Sequence, residues 1–169
     1  MRAALGVIGT AIIVFACSPV IARAQAPAAQ PPLSNQVQVL PAARLSALSD
    51  SIPPGAVRSL PIARFDGLTN AITTRDSSGV HERHEGFTDI FVVQKGSARL
   101  LYGGTVDGQR ETTPGEWRGG TIKGGTQSEL HPGDVVVVPA GIPHQMLLNP
   151  GERIAYLAFK VAAATKPGH

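Results

Sequence analysis

Two histidines and three carboxylates crowd into residues 79–96, "GVHERHEGFTDIFVVQKG", and a further histidine, His144, follows in "PGDVVVVPAGIPHQ", 132–145. Imidazole and carboxylate can move protons near neutral pH or hold a divalent ion. The only cysteine is Cys17, near the N-terminus. If a metal binds further along the chain, its ligands must therefore be His, Asp and Glu rather than thiolates. On a strand over 80–84, side chains alternate, so Glu82 and His84 share one face while His81, Arg83 and Glu85 share the other. On a second strand over 88–94, Asp89, Phe91 and Val93 share a face. Three readings of this cluster stay open. The groups ligate a metal, or Glu82 and Asp89 share a proton so that one becomes a raised-pKa acid, or Glu82 pairs with an arginine at the mouth of the fold.

Only strand pairing can bring a distant residue opposite these groups, and the chain is built for strands. From Val57 onward, short apolar runs are expected as strands at 57–62, 68–75, 80–84, 88–94, 97–103, 119–123, 126–131, 134–139, 144–148 and 152–161. Turn segments such as "QKG", "VDG", "HPGD" and "NPGE" separate them. Gly96 is expected at a positive φ in a tight hairpin. "VVVV", 135–138, lacks polar alternation and is expected to be buried on both faces. Residues 103–125 hold eight glycines; with no Gly-Lys-Ser/Thr, they are expected to be a connection between barrel strands rather than a phosphate cradle. Many short strands without a helix among them predict a sandwich or barrel. Pro41 in the first turn, with Leu45 and Leu48 at i, i+3, suggests a short helix over 41–50.

The order Gly133, Pro139, Gly141, His144 fits "G-x5-P-x-G-x2-H", and Glu82-x-His84, four residues, Asp89, six residues and Gly96 keep the spacing of a matching first motif. Both motifs resemble those of the cupin superfamily, specifically its small single-domain members; the first carries two substitutions, Glu82 where a histidine is usual and Asp89 where a glutamate is usual. The resemblance covers about 79–149. It implies an all-β fold, a double-stranded β-helix (jelly-roll) barrel of six to eight antiparallel strands. It also implies a divalent ion, manganese, iron, nickel or zinc, on Glu82, His84, Asp89 and His144, with Glu82 a fourth ligand or a catalytic general base. The extra carboxylate favours harder cations. Phe91, Tyr102, Gln145 and Met146 are expected to line the pocket. Trp117 either lines it or anchors its loop. His81 is expected at the surface or rim, His131 in solvent, and Asp134 as the cap of the "HPGD" turn.

The N-terminus has Met1-Arg2, an apolar run to Ala16 and a small-x-small exit at Ala22-Arg23-Ala24, the pattern of a secretory signal peptide. A periplasmic or secreted location is expected, with no membrane attachment after its removal; a lipid anchor on Cys17 is the lesser alternative. The division expected is 1–24 signal peptide, 25–52 flexible Pro/Ala-rich segment, 53–162 barrel, and 163–169 disordered tail. The whole chain has 15 basic and 12 acidic residues. Without Arg2 and Arg23 the formal charge is +1, too shallow to suggest nucleic-acid binding. A small-molecule ligand is expected, as is a homodimer, the latter by resemblance. Function is expected to be either metal-dependent catalysis on a small organic molecule (oxygenase, isomerase or lyase) or non-enzymatic binding of a small molecule or sugar.

Overall fold

The structure is a computed structural model that describes residues 29–55 and 57–164. The expected leader and residues 165–169 of the expected tail lie outside these. Helix α1, Ala42–Ser51, follows Pro41 and buries Leu45 and Ser49, one turn apart, so Leu48 is less buried than its neighbours suggested. It ends at Ile52, whose backbone is extended because Pro53 follows.

Thirteen strands follow among the described residues: β1 Val57–Phe65, β2 Leu68–Arg75, β3 Glu82–His84, β4 Phe87–Gly96, β5 Ala98–Tyr102, β6 Thr105–Asp107, β7 Arg110–Thr113, β8 Glu116–Arg118, β9 Thr121–Lys123, β10 Thr126–Leu130, β11 Val135–Val138, β12 His144–Leu147 and β13 Ile154–Ala162. They form a five-stranded sheet, β1-β2-β13-β4-β11, a six-stranded sheet, β10-β5-β12-β3-β8-β7, and a ribbon, β6-β9. All pairings between these strands are antiparallel. The two large sheets form the expected jelly roll without closing on each other through hydrogen bonds. Among the described residues, no helix is long and apolar enough to cross a membrane.

The core lies between the sheets. The alternation read from β4 holds: Asp89, Phe91 and Val93 are buried. Phe91 and Val93 join Leu100, Leu130, Val138, Met146, Ile154 and Tyr156 in one cluster. The β4–β5 hairpin turns through Gly96 at φ 72°, as expected, and a Cβ there would collide with the carbonyl of Arg153.

Two expectations are corrected. Val135 and Val137 are 62% and 57% exposed, so "VVVV" is not buried on both faces. The strand pairs only with β4, at the sheet edge, and presents alternate valines outward. The glycine-rich segment 103–125 is no bare connection. It folds into β6 to β9, and β8 adds directly to β3 in the six-stranded sheet.

Candidate metal centre

The register sets the site. In β12, His144 lies opposite Glu82 of β3 and, on its other side, Tyr102 of β5. The bend before His144 is fastened to β3 by the Gly141 N–H, which donates to the His84 carbonyl at 2.7 Å. Gly141 has φ 83°, a conformation that favours glycine. From the facing sheet, β4 supplies Asp89.

Glu82, His84 and His144 each offer a ligand atom within 4.8 Å of the others. His84 Nε2 is 3.5 Å from Glu82 Oε2 and 3.4 Å from Asp89 Oδ2, and His144 Nε2 is 3.6 Å from the same Asp89 oxygen. The two imidazole centroids are 5.6 Å apart. Atoms that bind one tetrahedral ion at about 2.1 Å stand about 3.4 Å from one another. Glu82, His84 and His144 therefore meet closely enough to share one ion, and Asp89 approaches both imidazoles from the facing sheet.

The ring nitrogens are set for this. His84 Nδ1 donates to Glu116 Oε2 at 2.6 Å, and His144 Nδ1 donates to the Ile142 carbonyl at 3.2 Å. Both acceptors lack a proton to give, so in each neutral ring the proton sits on Nδ1 and the Nε2 lone pair faces the cluster. His84 Nε2 is buried and makes no hydrogen bond, a cost a divalent ion would remove. Burial pushes the His144 imidazole below its ordinary pKa, partly opposed by the Ile142 carbonyl and by Glu82 and Asp89. The neutral ring is the ligating form.

Each carboxylate divides its oxygens. Glu82 Oε1 takes Arg75 at 3.2 Å, while Oε2, the oxygen near His84, takes Arg118 at 2.7 Å. Asp89 Oδ1 pairs with Lys160 at 3.1 Å and leaves Oδ2 to the imidazoles. Arg75 is fixed in turn, its Nε donating to the Tyr156 hydroxyl at 2.8 Å. Burial pushes the Tyr156 hydroxyl up, so it stays neutral.

This network disfavours the proton-sharing reading and a general-base role for Glu82. Burial pushes its carboxyl up, but contact with His84 and the charges of Arg118 and Arg75 outweigh that and hold it well below the ordinary carboxylate range. A carboxylate so stabilised is a weak base and a ready anionic ligand.

A cavity of about 380 Å³ opens onto the centre, lined by Glu82, Asp89 and His144 and also by Phe91, Gln145 and Met146, three of the expected pocket residues. Tyr102 and Trp117 are not among its walls. Tyr102 borders a separate groove beside β11 and shares a hydrogen bond with Ser128 at 3.3 Å. Trp117 lies opposite Arg83 in the β3–β8 register, under its guanidinium at 4.7 Å, with Nε1 donating to Glu85 at 3.0 Å. It thus anchors the β8 segment from the outer face.

His81 is outside the ligand cluster, yet it is fully buried rather than at the surface or rim. The start of the 119–120 turn covers it: His81 Nδ1 meets the Gly119 carbonyl at 2.8 Å, and the Gly119 N–H donates to the His81 carbonyl at 3.1 Å. His131 is exposed, and Asp134 caps its turn by accepting from the His131 N–H at 2.7 Å. Sequence reasoning missed Glu116 and Arg118. The alternation of "EWR", which puts residues 116 and 118 on one face and 117 on the other, was the available signal.

No family model and no curated protein matches the chain. Solved structures do. An uncharacterised conserved protein with a double-stranded β-helix domain from Klebsiella pneumoniae is 11% identical, with TM-score 0.52 over 78% of this chain and 95% of that one. A cupin superfamily protein from Desulfitobacterium hafniense is 20% identical, with TM-score 0.50 over 79% and 100%. The Cnp3 cupin domain of Schizosaccharomyces pombe is 8% identical, with TM-score 0.50 over 68% and 66%. The fold is that of the cupin superfamily, as the two motifs implied.

Proposed function

We propose that this protein is a metal-dependent enzyme acting on a small organic molecule. His84, His144, Asp89 and Glu82 hold a divalent ion of the manganese, iron, nickel or zinc group. One observation carries the reading: two buried imidazole nitrogens, their protons drawn away by Glu116 and the Ile142 carbonyl, converge with two carboxylate oxygens beside a 380 Å³ cavity. That volume suits a small-molecule site. A bound ion there would polarise a substrate oxygen or lower the pKa of a water. The chain's own contribution is to hold the His144 imidazole below its ordinary pKa by burial, keep Glu82 ionised through His84, Arg118 and Arg75, and line the cavity with Phe91, Met146 and Tyr156.

Metal analysis of protein purified without chelators tests this. The expected result is close to one equivalent, lost in His144→Ala; a full equivalent retained by that variant would refute the ligand set. Turnover against a panel of diols, keto acids and catechols separates an enzyme from a binding module, which would bind without turning over.

The N-terminal leader pattern supports export to the periplasm. The outer edge of β11, which pairs with no further strand among the described residues, and Val37 and Val39, exposed on the extended arm before α1, support a homodimer. Light scattering of the purified chain reads the mass of the particle directly.

A further inference from the structure

The geometry points to a small organic carboxylate as the molecule that enters this cavity, with Arg118 as the residue that recognises it. The inference rests on the metal reading above and adds the substrate's chemical class.

Charge carries the argument. Three cations, Arg75, Arg118 and Lys160, line the cavity with two carboxylates, Glu82 and Asp89. Glu116, behind His84, is a third carboxylate. The six charges cancel while both imidazoles are neutral. A divalent ion then leaves the site with a surplus of two positive charges in a partly closed, low-dielectric space. Such a surplus favours an anionic guest over a neutral one.

The three cations are not equally free to serve it. Arg75 is held by the Tyr156 hydroxyl and by Glu82 Oε1, the oxygen turned away from the imidazoles. Lys160 is held on Asp89 Oδ1, likewise the far oxygen. Arg118 bridges two carboxylates, with Nη1 on Glu82 Oε2 at 2.7 Å and Nη2 3.5 Å from Glu116 Oε2, and among the three it alone pairs with oxygens that also face an imidazole. An ion that takes Oε2 competes with Arg118 for it. Arg118 is also the most solvent-accessible partner in the Glu82 network, its side chain 32% exposed against 10% for Arg75. Its planar fork matches a carboxylate, which accepts two parallel N–H bonds. Phe91, Leu100, Met146 and Ala158 supply an apolar wall for the hydrocarbon part of such an acid, which inorganic phosphate would not use.

The test begins with uptake of Mn2+ and Zn2+, followed by calorimetric titration of the loaded protein with butyrate, its neutral isostere butyramide, and inorganic phosphate. Butyrate is expected to bind at least tenfold more tightly than butyramide or phosphate, and at least tenfold more weakly to chelator-stripped protein. Arg118→Gln is expected to lose at least tenfold in butyrate affinity while taking up the metal at least threefold more tightly, because Glu82 Oε2 has lost its competing cation. Arg118→Lys should recover part of the butyrate affinity. If the melting temperature shows that Arg118→Gln does not fold, Lys160→Met, which lowers the same surplus, should weaken butyrate relative to butyramide. Equal binding of butyrate and butyramide, phosphate binding as strong as butyrate, or an Arg118→Gln protein with unchanged butyrate affinity would overturn the inference and leave the metal reading standing. No uptake of either metal overturns both.

Discussion

His84 and Glu116 are joined by a 2.6 Å hydrogen bond from the ring Nδ1 to the carboxylate, across the antiparallel β3–β8 pair in which the two residues lie directly opposite. The contact sets the tautomer, aims Nε2 and raises its basicity. Glu116→Ala is therefore expected to weaken metal affinity by about 10–100-fold while the stoichiometry stays at one. Competition with a chelator of known affinity measures it, and an unchanged affinity would show that the ring is aimed by packing alone.

Gly79 makes room for Arg75. A Cβ at this position would run into the Arg75 guanidinium at Nη1, although the Gly79 backbone itself needs no unusual φ. Gly79→Ala should push Arg75 off Tyr156 and Glu82, leaving buried polar groups unpaired, at a cost of about 1–3 kcal/mol. Denaturant unfolding reads the loss. Unchanged stability together with an unshifted Tyr156 environment would mean that the guanidinium has somewhere else to go.

Neighbouring valines on β11 should behave as opposites. Val138 is buried against the core, and Val137 is 57% exposed. Val138→Ala is expected to cost roughly 1.5–3 kcal/mol, and Val137→Ala no more than about 0.5 kcal/mol. Equal losses from the two would mean that the outer face of β11 is covered in solution, for instance by a second copy of the chain.

Acid should destabilise the metal-free protein. Burial holds the His144 and His81 imidazoles below their ordinary pKa, so the folded chain binds fewer protons than the unfolded one as pH falls through about 6.5. Stability is thus present above that range and lost below it. Glu82 adds a second loss below the ordinary carboxylate range, since its folded pKa is depressed too. Melting temperature in chelator is expected to fall between pH 7.5 and 5.5 and further below pH 4.5. In His144→Gln the first step should shrink; a step of undiminished size would assign it to other groups.

The positions of the side chains that meet at the centre could be read from the chain because two local rules fix them. Period-2 alternation put Glu82 with His84, and Asp89 with Phe91, and the "PAGIPH" bend could only deliver His144 to the start of a strand. What escaped was pairing. Nothing local in "EWR" says that it adds to β3, since that contact closes over some thirty intervening residues and depends on the turns of the glycine-rich stretch. The same blindness put Val135 and Val137 inside, because hydrophobic character cannot tell a central strand from an edge. It also put His81 outside, because alternation turns it away from His84 and nothing local says that Gly119 packs over that face.

The β7–β8 hairpin has a consequence for how such a centre can be altered. Asp89 and His144 sit on β4 and β12, strands that also supply the core cluster, where any change is felt by the packing. Glu116 and Arg118, which aim one imidazole and restrain one carboxylate, sit on the half-buried strand β8, which contributes nothing to the core cluster. Lewis acidity and guest preference can therefore be retuned from the periphery, leaving the scaffold's interior as it was.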